Sequence, residues 1–213
     1  MCTEITAAWQ ACLEEAWWAY TAGSAPIGAV YADRDGSVLL RGRNRIAERA
    51  APAPFLHGSR VAHAEINVLV QVPAAAYGDM AAGVLYTSLE PCPMCFGAAL
   101  MSGVREIRFG ARDPWAGSGN LAGASPYVAS KGVRLVGPEP RVQAVSLVLL
   151  TEHTLRSGSP RAGEVVAAFA FADGAAAGLG REWLQSGHLQ DAAREGMSIG
   201  EIADEIWRLL ERG

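Results

Sequence analysis

Two short stretches, far apart in the chain, have to meet in space for either to make chemical sense. One is Val61-Ala62-His63-Ala64-Glu65-Ile66 and the other is Glu90-Pro91-Cys92-Pro93-Met94-Cys95. One histidine and two cysteines offer three ligands for a zinc ion, Zn2+. In a reducing compartment, Cys-x-x-Cys spacing favours metal over a disulfide. Two thiolates and a neutral imidazole cancel the charge of zinc. Three protein ligands leave the fourth tetrahedral position to water, as catalytic sites require, and zinc lowers the pKa of that water towards about 7. A structural site is normally closed by four protein ligands, and the chain has no second Cys-x-x-Cys to close one. Cys2, Cys12, His57, His153 or His188 could do so only by a coincidence of folding.

Pro93 suits the first turn of a helix, so Cys92 and Cys95 fall at a helix start. Negative charge is favoured there, which helps keep both as thiolates. Glu65, two residues after His63, can reach a water at the metal rather than the metal itself. It can act first as base and then as acid.

The rest of the composition permits a folded enzyme and argues against some partners. Half of the 213 residues are hydrophobic and 19% are charged, enough for a buried core. No apolar run approaches the roughly 20 residues needed to span a bilayer. The start, Met1-Cys2-Thr3-Glu4, lacks the basic and apolar segments of a signal peptide. A soluble cytoplasmic protein is the expectation, with no membrane partner. Residues 1–138 balance 11 basic against 11 acidic side chains, whereas residues 139–213 hold 7 against 11. A protein that grips a phosphate backbone usually shows a basic footprint, and none of that size is visible. Arg41, Arg43, Arg45 and Arg49 cluster locally and read as a solvated face, with phosphate contact as the alternative. Cys2 reads as part of a frayed terminus and Cys12 as a small core hydrophobe.

Apolar periodicity predicts an amphipathic helix over residues 3–21. A β-hairpin follows over residues 26–42, in which Gly28 suggests close approach by another backbone or a ligand. Residues 44–60 form a long polar loop, a length at which loops are often functional. Helices are expected over residues 62–72 and 94–101, and strands over residues 83–88, 105–109 and 132–136. Residues 110–123 read as a Gly-rich loop. A helix over residues 141–156 ends the first unit, and residues 157–163 read as a linker. The type of the apolar run at residues 165–171 stays open. Ser198 to Glu201 is a possible capping box before an amphipathic helix. This alternation is that of an α/β layered fold, with the site where strands end and helices begin.

With these residues in view, the chain resembles the cytidine deaminase-like superfamily, whose zinc enzymes carry an H-x-E…P-C-x-x-C signature. The likeness is greater to its tRNA adenosine deaminase and guanine deaminase branch. It rests on Pro26-Ile-Gly-Ala-Val30, Asn44, His63-Ala-Glu65, Glu90-Pro-Cys-Pro-Met-Cys95 and Phe109-Gly-Ala-Arg-Asp113, and covers roughly residues 1–156. The resemblance implies a three-layer α/β/α fold with a central five-stranded mixed sheet, here followed by a mostly helical C-terminal extension over residues 157–213. It implies His63, Cys92 and Cys95 as zinc ligands and Glu65 as proton shuttle. Asn44 would hydrogen-bond the base, and Ala64 with Ile27, Gly28 and Ala29 would line the pocket. Dimers are common in the family, so a homodimer is expected. The acidic C-terminal region and the lead-in Phe55-Leu-His-Gly-Ser-Arg60 depart from the tRNA enzymes, whereas Phe109 to Gly119 is closer to them. The expected activity is hydrolytic deamination of a free base, nucleoside or related small heterocycle. Phe55, His57, Asp113 and Trp115 are expected to shape its specificity. Adenosine deamination in tRNA is the alternative, disfavoured by charge.

Overall fold

The computed structural model describes residues 5–212. Its sheet is built around Val84–Leu89 (β3), which is buried at every position, as an interior strand covered on both faces must be. Gly28–Ala32 (β1) pairs antiparallel with β3 on one side, and Glu106–Ala111 (β4) pairs parallel with it on the other. Val38–Arg43 (β2) and Arg134–Val136 (β5) form the edges, giving the order β2-β1-β3-β4-β5. Both edges carry more exposed side chains than the centre. β1 and β2 are the expected hairpin. The Asp33 carboxylate closes its turn by accepting from the Asp35 and Ser37 amides at 3.0 and 2.8 Å.

The two faces follow the period of two along each strand. Val30, Ala32, Val84 and Tyr86 pack against Ala7–Thr21 (α1) and Pro140–Arg156 (α5). Ala29, Tyr31, Leu85 and Ile107 pack against Ala64–Leu69 (α2) and Pro93–Met101 (α3). Side chains such as Leu85 and Ile107 are fully buried, worth about 1.5–3 kcal/mol each. This is the expected three-layer α/β/α architecture around a five-stranded mixed sheet.

Two glycines on adjacent strands let the helices close on opposite faces. A Cβ on Gly28 would stand 2.1 Å from the Cys12 carbonyl oxygen and 2.6 Å from the Ala16 amide nitrogen, both backbone atoms of α1. A Cβ on Gly42 would stand 2.7 Å from the Ala64 oxygen and the Val68 nitrogen of α2. The close approach suggested at Gly28 is therefore to a helix backbone. Cys12 sits there fully buried and donates its thiol hydrogen to the Gly28 carbonyl (3.0 Å).

Four further helices cover the outer side of α1 and α5. They are Ala162–Ala172 (α6), Gly174–Ser186 (α7), His188–Glu195 (α8) and Ile199–Leu210 (α9). Val166, Phe169, Leu179, Trp183, Leu189, Ile202 and Ile206 share one apolar cluster with α1 and α5. Polar contacts cross the same seam. Trp17 Nε1 donates to the Met197 carbonyl (2.9 Å), Trp207 Nε1 to the Arg141 carbonyl (3.1 Å) and Gln190 Nε2 to Glu152 (3.3 Å). The capping box at Ser198 and Glu201 is formed.

Several boundaries differ from the sequence reading. α2 is shorter than residues 62–72, because Ala62 and His63 bond back to Ser59 and Val61 in a turn before it. The apolar run at residues 165–171 lies within α6. Pro126–Ser130 (α4) and 3-10 turns at Ala74–Ala82 and Gly119–Gly123 were not foreseen. The reading of Cys2 falls outside the described residues. Among the described residues no helix is long and apolar enough to cross a membrane.

Replacing Gly28 by alanine drives a methyl into the α1 backbone, and overpacking of this kind costs about 1–3 kcal/mol. Gly178 lies inside α7 with nothing within 4 Å of a built Cβ, so Gly178→Ala should gain about 0.5–1 kcal/mol. Urea denaturation of both variants checks the opposite signs.

Candidate metal centre and active site

The N-termini of α2 and α3 converge on one point. His63 is the N-cap of α2, Cys92 is the N-cap of α3, and Cys95 lies in the first turn of α3. Their ligand atoms all lie within 4.8 Å of one another. His63 Nδ1 is 3.7 Å from Cys92 Sγ and 3.5 Å from Cys95 Sγ. Tetrahedral zinc with ordinary Zn–N and Zn–S bonds separates nitrogen and sulfur by about 3.6 Å. The donor set and its spacing therefore fit zinc.

The two thiols differ sharply. The Cys95 thiol donates to Cys92 and holds the Cys92 pKa down to about 4. The same contact, together with burial, raises Cys95. His63 is raised, chiefly by its contact with Cys92. Cys95 is buried, whereas His63 and Cys92 are partly exposed, so the centre opens to one side.

Glu65 follows His63 in the first turn of α2 and is 4% exposed. Burial raises its carboxyl above the ordinary carboxylate range. The Thr87 hydroxyl donates to Glu65 Oε1 at 3.2 Å. A buried carboxyl with a raised pKa beside a metal centre suits acid–base work.

The end of β3 fastens three parts of this region in succession. Thr87 holds Glu65. Ser88 Oγ accepts from the Gly28 amide (3.1 Å) and so ties β1 to the same strand. Glu90 accepts from the Gly119 amide (3.1 Å), the Asp113 amide (3.3 Å) and Arg112 Nη1 (3.4 Å). Pro91 completes the attachment by accepting from the Ser118 amide (3.0 Å) and hydroxyl (2.6 Å). The 112–119 loop is thus bound to the residues just before Cys92.

The loop over residues 44–60 is fastened from the other side. The Arg45 amide donates to the Ala62 carbonyl (2.9 Å), beside His63. Asn67, fully buried in α2, accepts from the Leu56 amide (2.8 Å) and donates to the Arg43 and Leu56 carbonyls (3.0 and 3.1 Å). Asn44 is 1% exposed; its amide donates to the Ile27 carbonyl (2.9 Å) and its Oδ1 accepts from Ile46 (3.1 Å). Ile27 is partly buried, and Gly28, Ala29 and Ala64 are buried. Phe55 is half-buried beneath the Arg45 guanidinium (4.9 Å to the ring centroid), and His57 is exposed. Asp113 is buried, and its Oδ1 caps the turn by accepting from the Trp115 and Ala116 amides, both at 3.0 Å. Trp115 is 43% exposed.

Sequence reasoning gave no role to Thr87, Ser88, Asn67 or Glu90. The available signal was polarity in the wrong place, since Thr87 and Ser88 interrupt an otherwise apolar central strand. Three of the four clustered arginines form ion pairs within the protein, shared between two carboxylates. Arg41 pairs with Glu14 (2.8 Å), Arg43 with Glu48 (2.9 Å), and Arg45 also with Glu48.

Fold and site together define the class of zinc-binding deaminases. The model of the cytidine and deoxycytidylate deaminase zinc-binding region matches residues 3–111, and the chain belongs to this family. The tRNA-specific adenosine deaminase of Bacillus subtilis is 38% identical over 112 residues, 51% of this chain and 63% of that one. The chain thus spans less than two thirds of that relative. Cytosine deaminase of Candida albicans is 33% identical over 128 residues, 60% of this chain and 75% of that one. A solved structure of guanine deaminase from Nitrosomonas europaea superposes with a TM-score of 0.51 at 25% identity, covering 70% of this chain and 85% of that one.

The purified protein should carry about one zinc per chain. Cys95→Ala removes a buried ligand and should abolish binding, whereas Thr87→Val should leave it intact. Elemental analysis after exhaustive dialysis measures both.

Proposed function

We propose that the protein is a hydrolytic deaminase of a free nucleobase, nucleoside or related small heterocycle, replacing an amino group with a carbonyl and releasing ammonia. The observation that carries this reading is the buried Glu65 carboxyl, held by Thr87 and bonded to Cys95, one of the three ligand residues. His63, Cys92 and Cys95 would hold zinc, which would supply a water activated at neutral pH. Glu65 would take one proton from the attacking water and pass it to the ring nitrogen, then take the second from the hydroxyl of the resulting adduct and deliver it to the departing amine as the C–N bond breaks. Asn44, with Oδ1 engaged by Ile46, keeps its Nδ2 hydrogens for an acceptor on the ring. Ile27, Gly28, Ala29 and Ala64 line the pocket. Phe55, His57 and Trp115 set its rim, and Asp113 shapes the loop that presents Trp115.

Internal pairing of Arg41, Arg43 and Arg45 supports a small substrate over a nucleic acid. The fold-level likeness to a guanine deaminase agrees with it. Adenosine deamination in tRNA is the second reading, favoured by the 38% identity to a tRNA-specific enzyme. A cytoplasmic homodimer completes the proposal, and analytical ultracentrifugation measures the dimer.

Ammonia release from cytosine, guanine, adenine, their nucleosides and an unmodified tRNA tests the two readings. Turnover of a small molecule is expected, with little dependence on salt. Turnover of tRNA alone, falling about 10³-fold in affinity between 50 and 200 mM salt, would establish the second reading. Glu65→Ala should retain zinc and lose at least the roughly 10²–10⁴-fold contributed by a positioned acid–base group. A fully active variant removes the mechanism.

A further inference from the structure

Glu90 precedes the first cysteine ligand by two residues, and its carboxylate bonds to the 112–119 loop. It is 5% exposed and accepts three hydrogen bonds from the 112–119 loop, from the Asp113 amide, the Gly119 amide and the Arg112 guanidinium. An ionised carboxylate is acceptor-only, and all three partners are donors. The loop fits closely round it, since a Cβ on Gly117 would lie 2.6 Å from the Glu90 carboxyl carbon and 2.7 Å from Oε2. Ser118 of the same loop bonds through its amide and hydroxyl to the carbonyl of Pro91, the residue before Cys92, which places this loop beside the metal ligands.

We propose that Glu90 is a positioning residue that clamps the 112–119 loop to the metal motif and makes that loop, with Trp115 on it, a fixed wall of the substrate pocket. The inference deepens the deaminase reading and rests on it for the word substrate. The clamp itself stands on the hydrogen bonds. Through Pro91, the same two-residue segment that delivers Cys92 to the metal also sets the height of the wall. Ligand geometry and pocket shape are therefore fixed by one piece of backbone.

The test is Glu90→Gln, which keeps the size of the side chain but turns an NH2 group towards one of the donors. Three quantities are measured: zinc per chain, amide hydrogen exchange of Asp113 and Gly119, and KM and kcat for cytosine and guanine. Exchange at both amides should accelerate about tenfold or more, the scale of a lost charge-assisted hydrogen bond. Zinc should stay at the wild-type level. KM should rise about tenfold, with kcat changing less than about threefold. Unchanged exchange overturns the clamp. Loss of zinc also overturns it, because Glu90 would then support the ligands rather than the loop. Faster exchange with unchanged KM overturns the wall and leaves a structural brace. If neither base turns over in the wild type, the substrate reading fails while exchange and zinc still decide the clamp. Gly119→Ala, whose Cβ would lie 2.9 Å from Glu90 Oε1 with no backbone atom of another residue close by, displaces the carboxylate without altering its charge and should reproduce the phenotype if Glu90→Gln does not fold.

Discussion

The convergence of two helix N-termini on one metal position is the constraint from which the rest of the molecule follows. α2 brings His63 and Glu65, and α3 brings Cys92 and Cys95. Neither helix could reach this point without the strand before α3. β3 delivers Cys92, and its last residues Thr87 and Ser88, with Glu90 just beyond it, hold what surrounds the metal. Electrostatics favours the arrangement. Helix N-termini stabilise negative charge, and the thiol pair already favours a thiolate at Cys92.

The metal centre was legible because metal ligation tolerates few residue types at few spacings. His63, Cys92 and Cys95 could be named from the sequence, and the structure brings their ligand atoms together. The architecture was legible for a different reason, the alternation of apolar strands with helical periodicity. Thr87, Ser88, Asn67 and Glu90 were not legible as roles. Each acts through a hydrogen bond to a distant part of the chain, and such pairings depend on register rather than local pattern. Boundaries failed where a turn hydrogen bond replaced a helical one, as at Ala62 and His63. α6 escaped assignment because its apolar residues are spread round the helix. Phe169 is buried, whereas Phe171 is 88% exposed.

Charge required the structure to be interpreted. Four arginines in nine residues suggested either solvent or phosphate. Three instead meet carboxylates of the same chain, and Arg45 lies over Phe55 as well. Burial raises the carboxyl of Glu15, opposed by the positive charges of Arg43, Arg41 and Arg45. Local net charge thus says little about a partner until the internal pairs are known.

The bare contact between α1 and Gly28 has a mechanical consequence. Side chains between a helix and a strand act as a cushion, because rotamers can adjust before backbones move. At Gly28 that cushion is missing, and the peptide of β1 rests on the peptide groups of Cys12 and Ala16. The outer helices brace α1 from behind, through Trp17 and Met197 among others. The outer layer, α1 and β1 therefore stand in series like stacked plates. A small tilt applied at the far surface would reach β1, and the bond of its Gly28 amide to Ser88, with little loss.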